Sequence, residues 1–446
     1  MHEKKLDVWK IYGKRIAGIL GMLLLFLVIG ELLNVMYVSE GGRNRYLWHQ
    51  FYEHEGEIDN LFLGSSHVFC GVNAVLLDDL NGQHNFDLSS AYQTLNASYY
   101  LLREADRKNS LSHVYLEMYY PVSLYIETGA ENWLNIDHME LSWNKWEYFA
   151  SIAVRDPRHL PEICFPFYRF RRFLGDWDYI TQTIEGKRTN TYYNVFADGN
   201  GYEESMGQGY IYSSRVLQEH EKLMTSYTVL SENPMGEVSE QYLRKIISYC
   251  KEREIPITLF TVPMYGLSPV STEHYDYYVD EIRTIAGEYG VAYYDFNLVK
   301  EEYLPIQRNE FFMDTDHLNG AGADFFTTFL NQVMSKEDSE NEEYFHASFA
   351  ERLRAEEPRV YGLYLREHTS QEEPDQQMKT YWIASNREDD MEYNISLVSD
   401  TGEVNLIQDF TENREFTLPA EEHGICTIRA RMKDGMEELC NMEISY

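Results

Sequence analysis

The sequence predicts an α/β fold, a parallel sheet layered between helices, placed after one membrane-spanning helix and followed by a small antiparallel β-sandwich. Three observations lead there. Between residues 55 and 335 short apolar runs alternate with segments of helical spacing. A 23-residue apolar stretch, Ile16–Val38, follows a basic cluster. Beyond residue 345 the pattern becomes short segments of alternating polarity separated by turn residues.

Residues 1–15 carry Lys4, Lys5, Lys10, Lys14 and Arg15 against Glu3 and Asp7. About 20 apolar residues cross a bilayer at 1.5 Å each, so Ile16–Val38 is long enough to span once. Glu31 and Asn34 interrupt it near its outer end, within reach of the headgroups or a membrane partner. No small-x-small cleavage site follows, so an uncleaved anchor is expected. Basic residues before the span place 1–15 in the cytoplasm and everything after about residue 39 outside.

Ile58–Leu63 reads as the first strand, Val72–Leu80 as a short helix and His84–Leu88 as the second strand. Thr94–Arg107 has helical spacing, with Leu95, Tyr99, Leu102 and Ala105 on one face, and Val114–Tyr119 is a third strand. Further on, Val238–Glu252 is a helix, Ile257–Val262 a strand stopped by Pro263, and Glu273–Tyr289 a helix closed by Gly290. Val291–Phe296 is another strand and Ala321–Met334 another helix. Ligands of such parallel sheets sit at the carboxyl ends of the strands.

From 121 to 233 the alternation stops in an aromatic, partly helical insertion with a helical patch at Trp143–Val154. It reads either as a lid or sugar-stacking surface over the active site, or as a subdomain that buries its own aromatics. Arg169, Arg171 and Arg172 form a compact basic cluster there, suited either to a phosphate or carboxylate group of the substrate or to balancing nearby acids. Gly199–Tyr212 reads as a flexible loop, not a phosphate cradle, because no Gly-Lys-Ser/Thr follows. The acidic stretch Ser335–Glu343 is the expected domain boundary, and residues 345–446 the accessory β-domain.

A formal charge of −35 over 446 residues argues against a nucleic-acid partner. The five cysteines (Cys70, Cys164, Cys250, Cys426, Cys440) have no metal-ligand spacing, and the histidines form no H-x-x-x-H set, so neither metal nor cofactor is expected. Cys426 and Cys440 flank a hairpin turn without being opposite each other, and Cys250 reads as a small buried hydrophobe.

Two short stretches carry the chemistry. In Leu61-Phe62-Leu63-Gly64-Ser65-Ser66-His67 an apolar strand ends in small residues, the setting that exposes a side chain at the carboxyl edge of a sheet. Asp314-Thr315-Asp316-His317 lies just before the last α/β helix, where Asp314 and His317 can share one turn. A serine hydroxyl needs an imidazole to take its proton, and the imidazole needs a carboxylate to fix its tautomer. Ser66 is therefore the expected nucleophile, His317 the base and Asp314 its partner. The plainer alternative is a turn at Gly64–Ser66 and a loop capping a helix at Asp316 or Asn319.

With Leu63-Gly64-Ser65-Ser66-His67 near the start and Asp314-x-x-His317 near the end, residues 55–335 resemble the SGNH (GDSL-type) hydrolase superfamily, in particular its membrane-anchored envelope branch. That branch includes polysaccharide O-acyltransferases, esterases and the D-alanyl transfer protein of teichoic acid synthesis. The resemblance implies a flavodoxin-like three-layer α/β/α domain and a catalytic Ser66, Asp314 and His317. Asp87–Thr94 is similar to the second family block, which implies oxyanion N–H donors at Ser66 and Ala91. The third block is absent, since Val114–Tyr120 holds no asparagine; Gln93 and Tyr119 are the polar side chains nominated in its place, the alternative for each being a packing or capping role. His67 is placed with the arginines among the substrate-binding residues.

The function expected is a serine esterase or O-acyltransferase acting on acylated envelope polysaccharide, with a membrane acyl-transfer protein as possible partner. The alternative is a catalytically impaired envelope scaffold or glycan-binding protein.

Overall fold

The computed structural model describes residues 2–38, 42–121, 130–155, 157–189, 202–225, 227–369, 377–399, 402–435 and 437–446. They fall into two compact units, Met1–His49 with Thr128–Phe196, and Gln50–Glu127 with Ala197–Tyr446.

The second unit holds a five-stranded, all-parallel sheet in the order Ala292–Asp295, Ile257–Thr261, His113–Glu117 (β3), Asn60–Leu63 (β1) and Asn85–Asp87 (β2). Four of its strands fall within the runs predicted for them, and β3 begins one residue before its predicted run and ends two residues short of it. β1 is buried at all four positions, as a strand covered on both faces must be. Successive side chains alternate across the sheet. Phe62, Tyr115 and Phe260 enter a core with Phe326 and Leu330 of the helix Gly320–Met334. Leu61, Leu116 and Leu259, out of phase with them, are also fully buried. The helices Leu95–Lys108 and Glu237–Glu252 pack on one another, with Tyr99 and Tyr100 against Tyr242. The predicted helix at Val72–Leu80 is Ala74–Asn81, started by Asn73, whose side chain accepts from Leu76 N, and a separate short helix that was not predicted, Ser66–Gly71, precedes it.

The C-terminal strands form two four-stranded sheets around a core that includes Leu363, Tyr381, Ile383, Tyr393, Ile395 and Ile428. The predicted boundary at Ser335–Glu343 is mostly exposed, as expected, but it is a folded corner and not a free linker. Asp338–Asn341 is a helical turn with Asn341 buried, its amide donating to Val333 O and Tyr294 Oη. Leu223–Met224, from the end of the expected insertion, pairs in parallel with Val360–Thr369 and completes one sheet. Tyr361, Tyr364 and Ala384 belong to the same core as the parallel sheet. Buried Arg352 bonds Glu356 at 2.7 Å and donates to Asn297 O at 2.6 Å. The β-region is thus built into the α/β body. Cys426 faces Ile444 and Cys440 faces Ala430 across the ladder, and Cys250 is buried.

The stretch Gly199–Tyr212 is corrected as far as it is described: residues 190–201 lie outside the described residues, and Glu203–Gly207 with Tyr210–Ser213 make a hairpin. It forms because Tyr210 and Ile211 are buried and Gln208 O accepts from Asp87 N, extending β2.

The first unit contains a helix, His2–Tyr37, with an apolar 26-residue portion, Tyr12–Tyr37, long enough to cross a membrane. Residues 128–196 group with it, so this part of the expected insertion is a subdomain with its own core of Tyr37, Phe170 and Ile180. Asn34, whose polarity interrupts the apolar run, accepts from Phe167 N at 3.0 Å through its side chain and from Lys187 Nζ at 3.1 Å through its carbonyl.

Candidate active site

β1 ends at Leu63 and the chain turns at once into the helix Ser66–Gly71, capped by Ser65, whose Oγ accepts from His67 N at 3.3 Å. Only glycine fits at position 64, where a Cβ would lie 2.5 Å from Glu117 Oε2 and Val68 Cγ2. Glu117, the last residue of β3, accepts from Ser65 N at 2.6 Å and Ser65 Oγ at 2.8 Å. The adjacent strand therefore fastens the turn and presents Ser66, half-buried, at the carboxyl end of the sheet.

The second loop is closed by a bridge between Phe312 and Leu318 and by Met313 N donating to His317 O at 3.0 Å. Inside it, Asp314 Oδ1 accepts from Asp316 N at 2.8 Å and His317 N at 2.7 Å, an Asx turn that folds residues 314–317 onto one side. Asn319 caps the following helix by accepting from Gly322 N, so the capping role and the site role occupy different residues of one loop.

The two loops meet. His317 Nε2 lies 2.8 Å from Ser66 Oγ, and His317 Nδ1 lies 3.1 Å from both Asp314 oxygens. A carboxylate only accepts, so Nδ1 carries the proton and the Nε2 lone pair receives the Ser66 hydroxyl.

Three carboxyl groups and one imidazole set the electrostatics. Burial pushes Asp314 upward, but the bond and charge of His317 with two backbone N–H groups outweigh it and hold the carboxyl at about 2. Burial opposes charge on His317, yet Asp314, Asp316 and Glu117 raise its imidazole above the ordinary histidine value. Asp316 accepts from Ser268 Oγ at 2.5 Å and Tyr119 Oη at 3.1 Å, and burial holds its carboxyl above the usual range. Glu117 is pushed up to about 7 by burial, against the two bonds from Ser65.

Several predicted roles are corrected. Tyr119 is not free to polarise a substrate, because its hydroxyl proton is spent on Asp316. Gln93 faces inward, donating to Leu88 O and Ser98 Oγ and accepting from Ser90 Oγ. His67 is not a substrate contact: it is 2% exposed, its ring 3.9 Å from Tyr119 and 4.6 Å from His317. Burial and the nearby His317 keep His67 neutral, so it packs against the His317 ring without adding charge. Arg169, Arg171 and Arg172 lie in the first unit, while Ser66, Asp314 and His317 lie in the second. There Arg169 pairs with Asp137, Arg171 with Glu162, and Arg172 covers the Phe173 ring.

Ala91 keeps its place. Ser90 N donates to Gly64 O at 3.3 Å, setting Ala91 beside the Ser66 turn, and Tyr92 takes φ 52° to complete the bend. Among the described residues neither the Ser66 nor the Ala91 N–H has a protein acceptor, which leaves both available to an oxyanion.

Sequence reasoning missed Glu117, Asp316 and Ser268 as supports of the two loops. A carboxylate ending an apolar strand was the one available signal, for Glu117. A scan against protein-family models and a search of curated proteins find no match to the chain.

Proposed function

We propose that this chain is a membrane-anchored SGNH-type serine esterase or O-acyltransferase whose flavodoxin-like catalytic domain faces outward and acts on acyl esters of envelope polysaccharide. The observation that carries the reading is the line Ser66 Oγ, His317, Asp314, at 2.8 Å and 3.1 Å, closed by loops about 250 residues apart. The apolar helix behind a basic N-terminal stretch supports the anchor and its orientation.

In the reaction Ser66 Oγ attacks the ester carbonyl carbon as its proton passes to His317 Nε2. Asp314 holds the imidazolium at Nδ1–H, and the Ser66 and Ala91 N–H groups receive the developing oxyanion. His317 then gives the proton to the departing alkoxide, leaving an acyl-serine. Water as second acceptor makes the chain an esterase, and a sugar hydroxyl makes it a transferase, with a membrane acyl-transfer partner as the source of acyl groups.

A second reading, an impaired scaffold or glycan-binding protein, draws on one observation: both nominated side-chain oxyanion donors are engaged elsewhere. Such a donor is worth roughly 3 kcal/mol in the transition state. Full-length chain incubated with O-acetylated polysaccharide and an acceptor glycan separates the readings. The enzyme releases or transfers acetate and Ser66→Ala does not, whereas a scaffold binds glycan with no acyl change in either protein.

A further inference from the structure

At the amino ends of the same parallel strands, opposite the end that holds Ser66, a second cluster has metal-binding character. His54 and Glu57 lie in the turn after the helix Gly42–Glu53, and His84 immediately precedes β2. Each offers one ligand atom, and the three atoms lie within 4.8 Å of one another.

The arrangement around the rings distinguishes this cluster from a chance surface contact. His84 Nδ1 lies 2.9 Å from Asp78 Oδ2, and His54 Nδ1 lies 2.8 Å from Gln50 O. Both Nδ1 atoms are thereby committed as donors and both Nε2 lone pairs are left for a ligand, with His84 Nε2 3.6 Å from the Glu57 carboxylate. Asp78 is itself fixed by Asn85 N and Nδ2, each at 2.8 Å, and by Gln208 Nε2 at 2.6 Å. A carboxylate or backbone carbonyl behind each imidazole is the outer shell that metal-binding histidines carry. Asn109 holds the turn by accepting from Gly56 N and Ile58 N.

We propose that His54, Glu57 and His84 bind a zinc ion through three protein ligands, with a fourth position open to water. Two imidazoles and one carboxylate suit zinc, whereas calcium and magnesium take oxygen-only sets. Ligands about 2.1 Å from zinc in a tetrahedron stand roughly 3.4 Å apart, so the cluster closes by about an ångström on binding. Glu57, exposed on its turn, has the freedom to make that move. The ion ties the 54–57 turn to the start of β2. The sequence hid this site because His84 is 30 residues from His54 and only the fold joins them.

The test uses the full-length chain without a histidine tag, stripped with chelator and dialysed against zinc. One tightly held equivalent per chain is expected, and cobalt in its place gives the visible absorption of a four-coordinate ion. His54→Ala and His84→Ala abolish the uptake, and Glu57→Gln, a change at an exposed side chain, weakens it at least tenfold. No zinc uptake by the native chain, or equal affinity in the native chain and Glu57→Gln, overturns the proposal even if the histidine variants misfold.

Discussion

Glu117 accepts both the N–H and the hydroxyl of Ser65, at 2.6 and 2.8 Å, and so ties the turn that carries Ser66 to the neighbouring strand. Burial raises this carboxyl to about 7. A buried acid with a raised value gains a proton on folding, so its contribution to stability falls as pH rises from the ordinary carboxylate range to about 7. A shift of that size corresponds to roughly 3 kcal/mol. Glu117→Gln keeps an acceptor for Ser65 and removes the titration. Denaturant unfolding at pH 5 and pH 8 is expected to show a smaller loss of stability in the variant than in the native chain. Equal losses would mean that Glu117 is already ionised when buried.

In the proposed mechanism the base works only when neutral, and His317 is held above the ordinary histidine value by Asp314, Asp316 and Glu117 against its burial. Ester turnover is therefore expected to rise with pH along a limb above 6.5. Asp314→Asn removes the nearest of these charges: the limb moves to lower pH and kcat falls by about 10⁴. A pH profile of kcat/KM for an acetyl ester reads both effects. A limb that stays in place would show that Asp314 does not govern the imidazole.

Arg352, 2% exposed, bridges Glu356 and the carbonyl of Asn297. Removing one partner of such a pair strands a buried charge at a cost of about 3–5 kcal/mol. If the β-region is part of the α/β body, Arg352→Ala lowers the unfolding midpoint of both in one transition. A separate early transition, with the α/β signal unmoved, would restore the picture of an appended domain.

The parallel strands and the meeting of Ser66, Asp314 and His317 were legible because each rests on local pattern: apolar runs closed by small or turn residues, and an acid three residues before a histidine. The roles of Gln93 and Tyr119 were not, because sequence gives polarity but not direction, and both turn toward partners distant in the chain or hidden behind the turn. Leu223–Met224 could not be assigned to the β-region from a two-residue strand whose partner lies about 140 residues on. The acidic run at Ser335–Glu343 read as a linker by composition, yet Asn341 makes it a packed corner.

The most direct test of the central claim is active-site labelling of the full-length chain with a fluorophosphonate, followed by mass mapping of the adduct. The 2.8 Å contact between Ser66 Oγ and His317 Nε2 predicts a single adduct on Ser66, absent in Ser66→Ala and strongly slowed in His317→Ala. An unlabelled native chain, or equal labelling of all three proteins, would contradict it.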